Sequence, residues 1–221
     1  MAEINKQTIS EQIYQVLRED ILTQNIKCGT KLTLQSLKNR FQTSHTPIRE
    51  ALTRLVEDNL VTYYSNIGIS VVLLDENDAR EIFELNGDFD CLALRYAYTG
   101  NQKETLIKEL EKIISKSQHY IDKNQLNSWR HLSDQFHLVF YKYANNSRLD
   151  DAARKLRAQT TLLYNLYQLE DKNAEIIQMF HCQIYEAIKQ DNLSEALKLF
   201  KKHLNQDMHL AIKAINRQQM V

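Results

Sequence analysis

The segment Ser44–Leu52, which reads S-H-T-P-I-R-E-A-L, constrains the fold of this chain more than any other stretch. Apolar residues recur through it at helical spacing, so the pattern predicts a helix that buries one face. Ser44 is the expected N-cap. The opposite face carries His45, Thr46 and Arg49. Short donors and a guanidinium at a helix N-terminus suit a phosphate backbone and base edges, so this face is a candidate for DNA contact.

The elements on either side of this helix predict its role. A short helix over Thr33–Phe41 and a tight connection precede it, and such a pair is a helix-turn-helix in which the second helix reads DNA. The runs Leu60–Tyr64 and Ile69–Leu74 are rich in Val, Tyr and Ile, and Gly68 supplies a turn between them. They predict a β-hairpin wing. With a first helix over Ile9–Thr23, the sequence predicts a winged helix-turn-helix of three helices plus a hairpin.

The remainder of the chain predicts helices only. One proline and four glycines among 221 residues favour a mostly α fold. The expected helices are Glu76–Tyr98 (with a break permitted near Gly87), Lys103–Lys123, Leu126–Ala144, Ser147–Leu169, Asn173–Lys189 and Ser194–Arg217. We therefore expect two domains, a winged helix-turn-helix over residues 1–75 and an all-α helical bundle over residues 76–221.

Charge and cysteine content narrow the function classes. The formal net charge is zero, but six basic residues and one acidic residue lie between Ile21 and Arg54, which is the local footprint of a small DNA-binding module. The three cysteines are widely spaced and form no C-x-x-C, which favours free thiols in a reducing cytoplasm over disulfides. No apolar run is long enough to cross a bilayer and no signal pattern opens the chain, so we expect a cytoplasmic protein without a membrane partner.

The N-terminal region resembles the DNA-binding domain of the GntR family of bacterial regulators. The family motifs L-R-x-x-I, P-G-x-x-L, S-R-T-P-V-R-E-A-L and L-x-x-x-G-L-V read here L-R-E-D-I, C-G-T-K-L, S-H-T-P-I-R-E-A-L and L-V-E-D-N-L-V. Three positions differ from the family. Cys28 replaces a proline, Asn59 replaces a glycine, and His45 replaces an arginine.

The resemblance implies which side chains contact DNA. They are Ser44, His45, Thr46 and Arg49, with Gly68 at the wing tip near the minor groove. Arginine offers a two-pronged contact to guanine whereas histidine offers one ring nitrogen, so His45 implies a half-site that differs from the family's common one. The alternative for Arg49 is an ion pair on the helix surface with Glu50 or Glu57.

Three histidines, His137, His181 and His203, lie on different predicted helices of the C-terminal region. The spacing of their apolar neighbours points His181 and His203 into the bundle, and His137 follows Phe136 directly and lies one turn before Phe140. A single buried histidine is usually a satisfied core residue. Three that converge are a candidate site for a transition metal, because neutral imidazole is the commonest ligand of such metals.

The same region resembles the FCD domain, the FadR-type C-terminal effector domain of one GntR subfamily. The matching segments are Phe136-His137 with a following asparagine, H-x-x-I-x-x-A-I from His181, and A-x-x-x-x-x-x-H-L ending at His203-Leu204. In that family an aspartate and three histidines bind a divalent metal, which helps to hold a small carboxylate effector. The resemblance therefore implies a metal at His137, His181 and His203 and an effector beside it.

Two positions depart from the FCD pattern. Ser133 occupies the position of the metal-binding aspartate, with Asp134 next to it as an uncertain substitute, and Asn86 occupies the position of an arginine that receives the effector carboxylate. We assign Asn86 and Ser133 to effector binding, and note that Asp90 takes the place of a frequent glutamate. A metal-free polar histidine pocket stays an alternative to a metal site. If a metal binds, Zn²⁺ or Ni²⁺ suits the nitrogen-rich set best.

These features together predict a ligand-responsive transcriptional regulator. It is expected to bind double-stranded operator DNA as a homodimer, because one recognition helix reads too few base pairs. It is expected to sense a small organic effector, most simply a carboxylate, in its helical domain. The alternatives are a metal-dependent enzyme that uses the three histidines around a Lewis acid, and an all-α interaction module that no longer binds DNA.

Overall fold

The computed structural model describes residues 7–64, 68–167 and 171–219 of the chain. It divides into two compact units, Met1–Leu74 and Asp75–Val221. The first unit contains α1 (Ile9–Leu22), β1 (Lys31–Leu32), α2 (Leu34–Phe41), α3 (His45–Glu57), β2 (Val61–Tyr64) and β3 (Gly68–Val71). The three predicted helices and the predicted hairpin are therefore present in this unit, which confirms the winged helix-turn-helix.

The helices of the first unit begin where the sequence predicts, with one difference in capping. Thr33 caps α2 by accepting a hydrogen bond from the backbone N–H of Ser36. Ser44 has the extended backbone of an N-cap before α3, but its side chain makes no capping hydrogen bond. The Ser44 hydroxyl is exposed and is not used to close the helix.

The small sheet contains a strand that the sequence did not predict. Its order is β1-β3-β2 with antiparallel pairing, and Lys31 of β1 lies opposite Ser70 of β3. Two residues are too short to produce an alternating pattern, so β1 left no signal in the sequence. Gly68 opens β3 opposite Tyr64 with a φ of 100°, a value that suits glycine. The rest of the predicted hairpin turn, residues 65–67, lies outside the described residues.

The described part of the second unit is helical, as predicted. Its elements are α4 (Glu76–Thr99), α5 (Lys103–Asp122), α6 (Leu126–Ala144), α7 (Ser147–Asn165), α8 (Asp171–Lys189) and α9 (Leu193–Gln219). The break permitted near Gly87 is absent, and α4 is continuous. A Cβ at Gly87 would lie 3.4 Å from Leu204 Cδ1, so the glycine lets α9 approach α4 closely. The helix α7 ends at Asn165, earlier than the predicted Leu169.

The core of the second unit mixes aromatic and polar side chains. Phe136, Phe140 and Phe200 are fully buried and pack edge to face on one another. Buried beside them are polar residues from four helices. These are Asn86 and Asp90 of α4, Ser133 and His137 of α6, His181 of α8, and His203 and Asp207 of α9. Within the described residues, no helix is both long and apolar enough to span a membrane.

Candidate functional site

The candidate DNA-binding face lies on α3. Its inner face is fully buried through Ile48 and Leu52, whereas His45, Thr46 and Arg49 are exposed. Among the described residues no ion pair joins Arg49 to either glutamate of its own helix, so the predicted alternative for this guanidinium has no support in the structure. The exposed donors lie near the N-terminus of α3. The first backbone N–H groups of a helix have no partners within it, so this end favours anions.

The basic footprint around this helix is smaller than the sequence window indicates. The guanidinium of Arg40 forms an ion pair with Asp20 at 2.5 Å, and that of Arg54 pairs with Glu11. Asp20 and Glu11 both precede Ile21, the first residue of the basic segment Ile21–Arg54. The basic residues of that window for which the structure records no ion pair are Lys27, Lys31, Lys38 and Arg49, and all four are exposed.

In the second unit the three predicted histidines converge on one point. The Nε2 atom of His203 lies 3.1 Å from Nε2 of His181 and 3.2 Å from Nε2 of His137. All three residues are at most 9% exposed. Donors bound to one Zn²⁺ at about 2.1 Å are separated by about 3.0–3.4 Å, depending on the coordination angle. The nitrogen separations therefore match those of ligands on a single ion.

Neighbouring groups orient two of the imidazoles. Asp90 accepts a hydrogen bond from Nδ1 of His137 at 3.0 Å and another from the hydroxyl of Tyr141 at 2.6 Å. The ring of Phe136 stacks on that of His181, with centroids 4.0 Å apart. A proton on Nδ1 of His137, held by Asp90, leaves the lone pair of its Nε2 directed at the other two histidines. Carboxylates orient metal-binding histidines in the same way.

The three nitrogens cannot satisfy one another by hydrogen bonds. In a neutral His137, Nε2 carries no proton when Nδ1 donates to Asp90, and Nε2 of His203 carries either a proton or a lone pair, never both. At most one of the two short contacts can then be a hydrogen bond. Nδ1 of His203 has no hydrogen-bond partner in the described part of the chain. A divalent cation bound to all three lone pairs would resolve this conflict, so these residues fit a metal.

Burial sets the charge of this cluster. It lowers the pKa values of His181 and His203 well below the ordinary range, and the neighbouring imidazoles lower them further. Both rings are therefore neutral near pH 7 and offer lone pairs. Burial also raises the pKa of Asp207 well above its ordinary value. The pKa of Tyr141 is raised by burial and by the adjacent Asp90.

The other predicted site residues occupy different places. Ser133 is buried one helical turn before His137 on the same face of α6, and Asn86 is buried in α4, where its side-chain amide donates to Asp90 at 3.3 Å. Asp134 is half-buried, and burial raises its pKa. Among the described residues, the group whose ligand atoms come together consists of His137, His181 and His203, without Asp134.

Two acidic residues near the histidines were not predicted as part of the site. Asp90 was noted only as a replacement for a glutamate, and Asp207 not at all. Asp207 follows His203 by four residues on α9, and its Oδ2 lies 3.5 Å from Nε2 of that histidine. The sequence contains one signal for this proximity. Residues separated by four positions lie on the same face of a helix, so Asp207 is expected to lie beside His203.

Comparison with known proteins identifies the family. The chain matches the bacterial regulatory proteins of the gntR family over residues 9–71 and the FCD domain over residues 81–206. The chain belongs to the GntR family, in the group that carries an FCD domain. Both predicted resemblances are thereby confirmed, and the protein is a transcriptional regulator and not an enzyme.

Individual relatives support this assignment over most of the chain. The transcriptional repressor RspR of Escherichia coli K12 is 24% identical over 200 residues, which span 90% of this chain and 87% of that protein. The regulator YdhC of Bacillus subtilis 168 is 25% identical over 202 residues, which span 89% of this chain and 88% of that protein.

Solved structures show the same fold. A GntR-type protein from Rhodococcus sp. RHA1 superposes with a TM-score of 0.77 at 18% identity, covering 92% of this chain and 97% of that one. Escherichia coli McbR gives 0.76 at 18% identity, covering 94% and 99%. These structures share the fold.

Proposed function

We propose that this regulator acts in the cytoplasm as a homodimer, binds operator DNA through α3 and the β2–β3 wing, and senses a small carboxylate metabolite at a divalent metal in its helical unit. The observation that carries the proposal is the convergence of three buried imidazole nitrogens within one core, in a chain whose other unit is a winged helix. The three imidazoles support a site that responds to a ligand, and the winged helix supports DNA binding as the activity that this ligand regulates.

The proposed DNA contacts are those of the exposed end of α3. Ser44 and Thr46 offer hydroxyls to phosphates, and His45 and Arg49 offer ring and guanidinium donors to base edges. The side chain of Ser44 is available because it does not cap the helix. Gly68 is proposed to let the wing approach the minor groove closely, since its φ of 100° and missing side chain suit a tight turn.

A mobility-shift assay on the DNA upstream of the gene tests these contacts. Arg49→Ala is expected to weaken binding by about 1–3 kcal/mol, or roughly 5- to 150-fold. Arg54→Ala is the matched control, because Arg54 lies on the same helix but its guanidinium pairs with Glu11 and stacks on the ring of Tyr14. Equal losses in the two variants, or binding that neither variant alters, would contradict the assignment of α3.

The dimer is proposed from the size of the recognition surface. A single α3 contacts one half-site, and two copies are needed to reach ordinary operator affinity. Sedimentation velocity of the full chain is expected to give twice the mass of 26.0 kDa. A monomer that still binds one operator with high affinity would contradict this part of the proposal.

The effector is proposed to bind through the metal. Three imidazoles leave coordination positions open on a divalent ion, and a carboxylate oxygen is an anionic donor that can fill one. Asn86 and Ser133 are proposed to contact the effector as neutral groups, so the metal supplies most of the attraction for its charge. Thermal shift with simple mono- and dicarboxylates, with and without Zn²⁺, tests this dependence. A carboxylate that binds equally well to metal-free protein would contradict it.

Elemental analysis tests the metal itself, with Zn²⁺ or Ni²⁺ expected in the purified protein. His181→Ala is expected to lose it, because this imidazole is one of three converging ligands. His209→Ala is the matched control, since His209 lies on α9 but is exposed and hydrogen-bonds to the backbone of its own helix. Trace metal in wild type and both variants alike would leave a metal-free histidine pocket.

A further inference from the structure

Asp207 occupies an unusual position for an acidic residue. It lies one turn after His203 on α9, and its side chain is only 1% exposed. Its Oδ2 is 3.5 Å from the same Nε2 that faces the other two histidines. A carboxyl group in the interior of a helical unit is costly unless it is hydrogen-bonded, paired or bound to a cation.

Neither oxygen of Asp207 has a hydrogen-bond partner in the described part of the chain. The buried hydroxyls of Tyr167 and Tyr164 act on this carboxyl as weak hydrogen-bond donors that favour its charged form, but among the described residues neither makes a hydrogen bond of normal geometry. Asp90, the other acidic residue near the histidines, accepts hydrogen bonds from His137, Tyr141 and Asn86. The histidine cluster therefore has one satisfied carboxyl and one unsatisfied carboxyl.

The satisfied carboxyl cannot serve as the anionic ligand. Asp90 binds Nδ1 of His137, the ring nitrogen that faces away from the converging lone pairs. Ser133 has no charge to offer at the position where the resemblance places an aspartate. Three neutral imidazoles alone would leave both charges of a divalent ion uncompensated in a buried site, where that cost is high.

We propose that Asp207 is the carboxylate ligand of the metal, so that the acidic donor of this centre comes from α9 instead of the Ser133 position of α6. The inference rests on the proposed metal centre. Its Oδ2 is within a few tenths of an ångström of the separation expected for two ligands on one ion, about 3.0–3.4 Å. The oxygen lies beside the nitrogen triangle, not within it, and among the described residues no hydrogen bond of normal geometry holds the side chain away from the ion.

Zn²⁺ affinity of the full-length protein, measured by competition with a chromophoric chelator, tests the assignment. Asp207→Asn keeps the shape of the side chain and is expected to lower the affinity by about 10- to 100-fold or more. Asp134→Asn is the matched control and is expected to change it less than about threefold, since among the described residues Asp134 pairs with none of the three histidines, whereas Asp207 lies 3.5 Å from His203. The Co²⁺-loaded protein should show a changed visible spectrum in the Asp207→Asn variant only.

Moving the carboxylate provides a rescue. The double variant Ser133→Asp with Asp207→Asn restores an acid on the face of His137 and is expected to regain most of the lost Zn²⁺ affinity. Without metal, Asp207→Asn should melt no lower than wild type, because it removes an unpaired buried acid. A merely structural aspartate would instead lower the melting temperature of the metal-free protein and leave the Co²⁺ spectrum unchanged, and that outcome overturns the assignment.

The remaining outcomes separate this inference from the proposed function. If wild type binds Zn²⁺ tightly and Asp207→Asn binds it equally well, the three histidines hold the metal and only the role of Asp207 is wrong. If Asp134→Asn causes the larger loss, Asp134 is the ligand and the assignment is overturned. If wild type binds neither Zn²⁺ nor Co²⁺, the metal centre itself fails, while the mobility-shift assay still decides whether the protein binds DNA.

Discussion

The two units of this protein place their candidate functional side chains in opposite environments. In the first unit His45 and Arg49 are exposed on α3, above a core in which Ile48 and Leu52 are fully buried. In the second unit His181 and His203 are themselves core residues, at most 1% exposed. A surface site can be changed without cost to the fold, whereas a buried site is built from the same contacts that hold its helices together.

The contrast extends to how polar groups are satisfied. Water and DNA can satisfy the exposed donors of α3, so they need no internal partner. The buried centre must satisfy its polar atoms from within, and it does so for Asp90 but not for Asp207 or for Nδ1 of His203. Buried polar atoms without partners call for an explanation, and the proposed metal supplies one, whereas an exposed face offers no such signal.

Core truncation next to the histidines should give the largest effect. Phe136→Ala removes a fully buried ring that stacks on His181, and it should lower the free energy of unfolding by about 3–5 kcal/mol. Leu138→Ala on the same helix, at a side chain 37% exposed, should cost less than about 1 kcal/mol. Arg49→Ala should stay within about 0.5 kcal/mol of wild type. Urea denaturation measures all three, and similar losses for Phe136→Ala and Arg49→Ala would remove the contrast between the units.

Metal binding should stabilise the buried site next most strongly. A ligand present at 100 times its dissociation constant stabilises the folded state by about 2.7 kcal/mol, provided that the unfolded chain does not bind it. We expect Zn²⁺ to raise the melting temperature of wild type and a chelator to reverse this. His181→Ala should show no such increase, because one of the three converging nitrogens is gone. An unchanged melting temperature in wild type would argue against a metal-dependent core.

The sequence predicted the exposed site better than the buried one. The residues of α3 could be assigned because they follow one another in a single segment, and a helical period alone decides which side they occupy. The buried centre assembles side chains from α4, α6, α8 and α9. Helical periodicity placed His181 and His203 on inward faces, and both are buried in the structure, but it contains no information on which inward residues meet.

Asp207 and Asp90 show where that limit lies. Each is an acidic residue on an otherwise amphipathic helix, and each is buried although acids usually lie at the surface. Their roles follow only from their distances to histidines on the same or another helix. The basic footprint is smaller than the sequence indicates for the same reason, because Asp20 and Glu11 pair with Arg40 and Arg54 across segments distant in sequence.

Changing the base preference should have a smaller effect, confined to the exposed site. His45→Arg introduces a two-pronged donor at the start of α3 and should favour a guanine at the facing position by about 1–3 kcal/mol. Because residue 45 is exposed, neither Zn²⁺ binding nor the free energy of unfolding should change. Selection of binding sites from a random DNA library, for wild type and variant in parallel, measures the preference. Identical selected sites would exclude His45 from base reading.

The smallest effect should come from a partly exposed polar cluster in the second unit, in which Glu109 contacts Lys142 and Tyr143. This cluster lies in the same unit as the buried histidines. It therefore shows whether burial or the unit itself causes the contrast described above. Partial burial raises the pKa of the Glu109 carboxyl, but Lys142 and the hydroxyl of Tyr143, each 2.6 Å away, outweigh this and hold the pKa below its usual 4.5. A carboxyl with a lowered pKa stabilises the fold above the unfolded-state value and loses this contribution as the pH falls through the folded-state value.

Glu109→Gln should therefore lower stability by about 0.5 kcal/mol at neutral pH, a figure kept small because solvent screens a carboxylate that is one-third exposed. The difference from wild type should shrink as the pH falls below 4.5. Urea denaturation at neutral and acidic pH measures both values. A loss close to that of Phe136→Ala, or a loss that does not depend on pH, would contradict this prediction. In that case the unit in which a polar side chain lies, and not its burial, would decide how much it contributes to stability.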